Sequence, residues 1–520
     1  MREREGSGRV SARETGSGIV FRPPAAHDGL SSAEDATLDV AATAKNPSRP
    51  PVEKRKPFPT PSGLSFDALL TALLFTTIAL AAALMPAQND TFWQLRAGHD
   101  MWRSRTVLLH DTFSHTVYGA AWPNHEWLSQ IVLYALYSAG GLALVTLAAA
   151  AAVVCAWWIV WTITPASPRT RFLLIALVVV SACGTWSPRP QVFSLLLLAA
   201  TTALLRARRY AWLPPLFVLW ANLHGGVALG AWVLIAAVAA SLLESPRSTL
   251  RLFAACVACA IGGCLTPIGW RFWLEIAQSL GRIEHLGIAE WAPPRLTDPA
   301  LVGFWPMLAA LIVLAVLRGR QLWRDEEARQ RGHLTLVAVA LALAPTSVGA
   351  VRNVPPFLMV AVPAVAVLLP RRDGVTAPRS ERPRVNVAIA GVAAAVAVTS
   401  VAVAYALPAD HLGWRPLPPD SLGKLAACRG NLYNRYDEGG YLIWFAPDHK
   451  VFLDGRQDPY PPSLIAAQVQ AESTGDYREL FRRFDVGCAF VPADALVTRR
   501  LVDDGWTALY RDGRWAVLAP

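Results

Sequence analysis

Five ionisable residues in this 520-residue chain stand where long apolar runs end, each beside proline, glycine or a cluster of aromatic side chains. Asp90 follows the first run in "NDTFWQLRAG" and Arg189 lies in "SPRPQ". His224 lies with Asn222 in "NLHGG", Glu290 in "IAEWAPP", and Arg352 with Asn353 in "VRNVPPF". Taken singly, each motif reads first as a helix cap or kink. Broken helix ends also expose backbone donors and let side chains converge on a cavity, and five such groups at one depth argue for a site. Guanidinium groups match phosphate in bidentate geometry. A carboxylate beside them can take a proton from a hydroxyl nucleophile or hold a divalent cation. A lipid phosphate as leaving group, a hydroxyl as attacker and a carboxylate as base together describe transfer of a sugar from a lipid carrier. Asp90 is the sharpest case, because a charge facing lipid at the exit of a span is costly unless it lines a wet cavity.

The elements that must position these groups are membrane spans. The chain is 53% hydrophobic, and its nearly charge-free runs of about 17 to 23 residues are roughly long enough to cross a bilayer as helix. About eleven are expected: 65–86, 141–163, 171–186, 190–206, 211–223, 226–243, 251–268, 301–317, 333–349, 355–370 and 386–407. Residues 1–63 are rich in Gly, Ser, Ala and Pro and read as a disordered cytoplasmic tail. The tail ends in "KNPSRPPVEKRKPFP", whose basic residues should hold the N-terminus inside. The short loops "PASPRTR", "RARRY", "ESPRSTLR", "RGRQLWRDEEARQRGH" and "RRDGVTAPRSERPR" carry most of the Lys and Arg, so they read as inner loops. Parity then places the polar span ends outside.

The first outer loop, residues 87–140, adds Asp111, His125 and Glu126 to the candidates. Its apolar residues follow the spacing of two interfacial helices, "TFWQLRAGHDMW" and "NHEWLSQIVLYALYSAGG". Trp93, Trp102, Trp122 and Trp127 suit headgroup depth. Asp100, Arg103 and Arg105 read as solvated charges on those helices.

Several classes are disfavoured. The net charge of +10 comes from loop residues rather than one basic face, which is a topology signal and gives no nucleic-acid surface. His99, His110, His115 and His125 match no zinc-ligand spacing, so no metal is assigned to the histidines. Of seven cysteines, five lie in or beside apolar runs, and "CVAC" reads as packing. No P-loop and no GxGxxG at a strand end is present, against a nucleotide-driven pump.

From about residue 408 the sequence changes character. Strand-like "GNLYN", "KVFLDGR", "VGCAFVP", "WTALYR" and "WAVLAP" alternate with helix-like "EGGYLIWFA", "PSLIAAQVQAES", "YRELFRRF" and "ALVTRRLVDDG". The expectation is a polytopic α-helical membrane protein, spanning over residues 64–407, with a small extracytoplasmic α/β domain over 408–520. Cys428 and Cys488 lie in that domain, where a disulfide could form. Asp454, Arg456 and Asp458 read equally as ligands of the membrane site and as an ion pair fixing a turn.

This layout resembles the GT-C superfamily of integral membrane glycosyltransferases, and more closely a set of bacterial membrane proteins of that type. The matching stretches are "NDTFWQLRAG", "HDTFSHTVYGAAWPNHEWLSQ", "RPQVFSLLL", "WANLHGG", "LTPIGW", "EWAPP", "RNVPPF" and "YDEGGYLIWFAP…VFLDGRQDPY". The resemblance implies a plasma-membrane enzyme that takes a polyprenyl-phosphate-linked sugar and passes it to an extracytoplasmic glycan, lipid or protein acceptor. In the superfamily an early acidic residue is implicated in catalysis or metal binding, and Asp90 occupies that position. Asn89 precedes it, so the paired acidic motif of several members is absent and the cofactor stays open, a divalent cation being one option. On this reading Asp90 and Glu290 are the catalytic candidates. Arg189 and Arg352 would hold the phosphate, with His224, Asn222, Asp111, His125, Glu126 and Asn353 shaping the pocket. A transporter or lipid-carrier flippase, and a non-catalytic envelope assembly protein, are the alternatives.

Overall fold

The computed structural model describes residues 63–244, 246–283, 289–370, 381–407 and 409–520. Apart from Gly63, the expected N-terminal tail lies outside them, as does most of the basic loop before the last apolar run. The first part of the described chain is helical. Its helices are α1 (Phe66–Ala83), α2 (Asn89–Ser104), α3 (Trp127–Ile163), α4 (Pro168–Ala182), α5 (Gln191–Arg206), α6 (Leu213–Leu223) and α7 (Val227–Glu244). There follow α8 (Pro246–Gly262), α9 (Arg271–Ile283), α10 (Phe304–Arg324), α11 (Glu326–Gln330), α12 (His333–Gly349), α13 (Val354–Leu368) and α14 (Pro383–Ala406).

Among the described residues, seven helical stretches are long and apolar enough to cross a membrane, built on α1, α3, α4, α7, α10, α13 and α14. The chain is thus a multi-pass membrane protein. Each of the eleven expected runs falls on a helix, but α5 and α12 are shorter apolar helices. The 11 residues of α6 extend about 16 Å, roughly half of a bilayer core. Hydropathy registers apolar length and cannot tell a full crossing from a helix that stops partway. The amphipathic α9 was not anticipated.

Local chemistry explains the ends near the polar groups. Helix α2 starts on a capping box in which the Gln88 backbone N–H donates to Thr91 Oγ1 at 3.2 Å. It stops where Arg105 turns left-handed at φ 58°. Helix α3 is two helices joined at Gly140 and Gly141. Gly141 has φ 62°, a value that glycine adopts without steric cost. This break falls at the boundary between the expected segments 87–140 and 141–163. Helix α13 is buried along most of its length and packs against α10, α12, α3, α4 and α5. Helix α14 packs mainly on α1 and otherwise faces outward.

The C-terminal part forms a small sheet domain. In chain order it holds α15 (Pro419–Leu425), β1 (Asn431–Asn434), α16 (Tyr436–Phe445), α17 (Pro462–Thr474) and α18 (Arg478–Arg483). Then come β2 (Val486–Pro492), α19 (Leu496–Asp503), β3 (Thr507–Arg511) and β4 (Trp515–Ala519). The strand order is β1-β2-β4-β3, with β1 parallel to β2 and the other pairs antiparallel. Cys428 and Cys488 are joined by a disulfide.

One expected strand is absent from the sheet. In "KVFLDGR" only Val451 makes a bridge, to Ser114 of the loop between α2 and α3. Side chains take the backbone groups that a ladder would use: the Phe452 N–H donates to Asn434 Oδ1 at 2.8 Å, and Asn434 Nδ2 donates to the Leu453 carbonyl at 2.7 Å. This segment therefore ties the loop to the domain instead of extending the sheet. Helix α16 docks on α2, where Gly440 N–H donates to Asn89 Oδ1 at 2.6 Å. A Cβ on Gly440 would run into the Asn89 backbone and side chain, so glycine is what permits the close approach.

Candidate active site

A cavity of about 1110 Å³ lies between this end of the helices and the sheet domain. Its walls come from the first turns of α2, the start of α5, the turn between α6 and α7, and the residues opening α13. Residues of α16, α17 and the loop 455–458 close it from the sheet-domain side.

Arg189 organises the first cluster. Its Nη1 donates to Asp90 Oδ2 at 2.9 Å, its Nη2 to Glu290 Oε1 at 3.0 Å, and its Nε to Ser187 Oγ at 2.8 Å. The Asp90 Oδ1 accepts from Trp93 Nε1 at 3.0 Å, one turn along α2. Arg189 is buried, whereas the side chains of Asp90 and Glu290 keep 30% and 41% exposure. Burial pushes the Asp90 carboxyl up from its ordinary value, against the pull of Arg189 and Trp93. Burial disfavours the Arg189 charge, but Asp90 and Glu290 outweigh it and hold that guanidinium above its usual range. Arg352 completes this wall, its guanidinium 4.2 Å from the Trp291 ring centroid.

One Asp90 carboxylate oxygen faces a guanidinium and the other an indole N–H, and each oxygen keeps a further lone pair. Among the described residues no three His, Cys, Asp or Glu side chains form a metal-holding group.

The second cluster surrounds Glu126, the residue that precedes the first turn of α3. It accepts a hydrogen bond from Gln94 Nε2. Its Oε1 lies 3.3 Å from His224 Nε2 and 3.8 Å from His125 Nε2. His125 Nδ1 in turn lies 3.6 Å from Asp458 Oδ2 of the sheet domain. His224 Nδ1 accepts the Gly226 N–H at 2.9 Å and lies 2.7 Å from Ser194 Oγ, which accepts from Trp220 Nε1 at 2.7 Å.

Neither a protein-family model nor a curated protein matches the chain. Solved structures do. The apo crystal structure of the Archaeoglobus fulgidus oligosaccharyltransferase is similar at a TM-score of 0.50 and 13% identity, over 82% of this chain and 70% of that one. The archaeal oligosaccharyltransferase AglB from Archaeoglobus fulgidus, in complex with an inhibitory peptide and a dolichol-phosphate, gives 0.49 and 12%, over 82% and 69%. The chain thus shares the fold of that oligosaccharyltransferase.

On this fold the structure gathers eight of the ten candidates at the cavity: Asp90, His125, Glu126, Arg189, His224, Glu290, Arg352 and Asn353. Asn353 also spans back to the Thr346 carbonyl at 3.1 Å, acting as a local tie. Two candidates lie elsewhere. Asp111 is fully buried against Arg456 at 2.6 Å and caps the backbone of Ser114, so it is a packing ion outside the cavity wall. Asn222 accepts from Trp127 Nε1 at 2.8 Å and donates to the Val218 and Leu265 carbonyls, which uses it to join α6 to α3.

The sequence analysis missed Gln94, Trp93, Ser194 and Tyr436 as wall residues. Gln94 could have been found, because it sits four residues after Asp90 and so on the same helical face. Tyr436 and Gln457 belong to the "YDEGG" and "DGRQD" stretches, whose role depends on a docking that local sequence does not encode. Asp454, Arg456 and Asp458, left open between two roles, divide: the first two form a buried pair whose arginine also borders the cavity, and Asp458 lines the cavity.

Proposed function

We propose that the chain is a membrane glycosyltransferase that moves a sugar from a polyprenyl-phosphate carrier to a hydroxyl of an extracytoplasmic glycan, lipid or protein. The observation that carries this reading is the convergence of Arg189 and Arg352 with Asp90, Glu126 and Glu290 on one large cavity at the ends of apolar helices. A lipid phosphate can reach such a place from the bilayer while its tail stays in hydrocarbon. The shared fold with an oligosaccharyltransferase supports glycosyl transfer as the chemistry.

In this scheme Arg189 and Arg352 take the charge of the departing phosphate, the usual office of arginine at a developing phosphate anion. Glu290 holds the Arg189 fork in its orientation. Asp90 keeps lone pairs beyond those used by Arg189 and Trp93, and with these it orients the acceptor or sugar hydroxyl. A single displacement inverts the anomeric centre. In this scheme the cavity and the sheet domain face the extracytoplasmic side of the plasma membrane, a reading supported by the Lys and Arg of the short loops.

The test uses the full chain in detergent, wild type and Asp90→Asn, with radiolabelled polyprenyl-phosphate sugars and envelope extract. The wild type is expected to retain polyprenyl phosphate in native mass spectrometry and to transfer label. Asp90→Asn should lose transfer by about 100-fold or more, as misplaced reactants do. A folded wild type that neither retains the lipid phosphate nor transfers label overturns the reading.

A further inference from the structure

The two carboxylates facing the cavity from the first outer loop have different company. Both oxygens of Asp90 accept hydrogen bonds, one of them from a guanidinium. Glu126 is bonded to a neutral amide, Gln94, on the same face of α2 as Asp90. Its other oxygen faces His224, and the state of that ring follows from its far side. Gly226 donates a backbone N–H to Nδ1 at 2.9 Å, so Nδ1 carries no proton and the neutral ring holds its hydrogen on Nε2, which lies 3.3 Å from Glu126 Oε1. A Cβ on Gly226 would run into both Ser194 Oγ and His224 Nδ1, so this turn is shaped to the ring. Ser194 and Trp220 hold the ring from behind.

We infer that Glu126, oriented by Gln94 and His224, is the group that takes the proton from the acceptor hydroxyl. The inference rests on the sugar-transfer reading and gives it a base. The acceptor O–H proton moves to the Glu126 carboxylate as the hydroxyl oxygen bonds to the anomeric carbon. The bond from that carbon to the phosphate oxygen breaks, and the phosphate leaves with the electron pair beside Arg189 and Arg352. Glu126 then returns its proton to water in the cavity.

The surroundings of Glu126 suit a base. The groups facing it are Asp90 and Gln94 on α2, the neighbouring His125, His224 from the turn between α6 and α7, Asp458 from the sheet domain, and Arg352 at the start of α13. Burial raises the Glu126 carboxyl from its ordinary value, His125 and Gln94 pull it back, and Asp90 and Asp458 add to the rise. A carboxylate raised toward neutrality is the more effective base. His224 is held well below its ordinary value by burial, with Arg352, His125 and Arg189 adding to the effect, so it positions Glu126 and does not compete for the proton.

The experiment compares wild type, Glu126→Gln and Gln94→Ala in the transfer assay across pH, with native mass spectrometry on each. General-base loss predicts a fall in kcat of about 10²- to 10⁴-fold in Glu126→Gln, with polyprenyl-phosphate retention at the wild-type level. The acid limb of the wild-type profile should lie above the ordinary carboxylate range and vanish from the residual Glu126→Gln activity. Gln94→Ala should lower kcat while keeping the limb, as expected of a positioning residue. Wild-type rate or an unchanged acid limb in Glu126→Gln overturns the inference. So does wild-type activity abolished by EDTA and restored by Mg²⁺ or Mn²⁺, which would make Glu126 a cation ligand. A wild type that transfers no sugar overturns the reading beneath it, and that outcome is distinguishable because it does not depend on the variants.

Discussion

Two Asp–Arg clusters in this molecule share a composition and differ in what surrounds them. In each, one arginine stands between two carboxylates, and one of those carboxylates comes from residues 87–126, between α1 and α3. Arg189 meets Asp90 at 2.9 Å and Glu290 at 3.0 Å, with the carboxylates partly open to the cavity. Arg456 meets Asp111 and Asp454 at 2.6 Å each, and all three side chains have 0% exposure. The rings of Trp122, Phe113 and Tyr460 enclose that second guanidinium at 4.8, 4.9 and 5.8 Å. Desolvating a charged trio is costly, and only near-complete pairing offsets it. The sealed trio therefore joins the segment between α2 and α3 to the sheet domain, while the open one leaves its charge addressable by a ligand.

Substituting the two arginines separates these roles most sharply. Arg456→Ala leaves two buried carboxylates without a counter-charge, and breaking a buried pair in this way costs about 3–5 kcal/mol. The expected result is early loss of the sheet domain in thermal melts and rapid proteolysis of the region after α14. Arg189→Gln should melt close to the wild type but lose polyprenyl phosphate in native mass spectrometry. Equal destabilisation by both substitutions would mean that the Arg189 cluster is a second structural joint.

The contrast also explains what could be read in the sequence. Apolar runs locate helices because hydrocarbon tolerates little else, and "SAGG" marked the break in α3 because Gly141 takes a left-handed backbone. Arg189, His224 and Arg352 were legible because an ionisable group at a span end must face water or a partner. Asp111 was not. Its partner Arg456 lies in the sheet domain, so nothing local distinguishes its sealed environment from the open one of Asp90. The strand expected at "KVFLDGR" failed for a related reason: its alternation is real, but Asn434 and Thr116 claim its backbone groups from a distance. Of the eleven expected runs, seven have the length and apolarity of a crossing among the described residues, and those on α5, α6, α8 and α12 do not.

A smaller effect probes how the sheet domain touches the open cluster. A Cβ on Gly455 would run into Asp90 Oδ1. Gly455→Ala should therefore displace the Asp90 carboxylate and lower transfer by about 10- to 100-fold, the scale of a ~1 Å misplacement, while the Arg456 trio and the domain fold persist. Gly513→Ala, with open space around its Cβ, is the control and should leave transfer unchanged. Equal rates for the two variants would show that the domain does not set the position of Asp90.

The smallest effect concerns pH and divides the open region itself. His224 is held well below its ordinary value of 6.5 by burial and by nearby Arg352, His125 and Arg189. In the unfolded chain it takes a proton near 6.5, whereas the folded ring does so only at much lower pH. Stability from this group is therefore intact above 6.5 and declines as pH falls below it, by up to about 1.4 kcal/mol per pH unit. Glu126 acts in the opposite direction. Its folded carboxyl is raised above 4.5, so as pH falls through its folded value the native state gains protons before the unfolded state does. That uptake stabilises the native state down to about 4.5. Below pH 6.5 the two slopes oppose each other in the wild type, so its melting temperature falls less steeply than the His224 slope alone would give. His224→Asn removes the destabilising slope and keeps the other, so its melting temperature should hold or rise over that window while the wild type falls. Parallel curves would mean that the folded His224 takes a proton as readily as an exposed histidine, and the neutral ring assigned beside Glu126 would have to be given up.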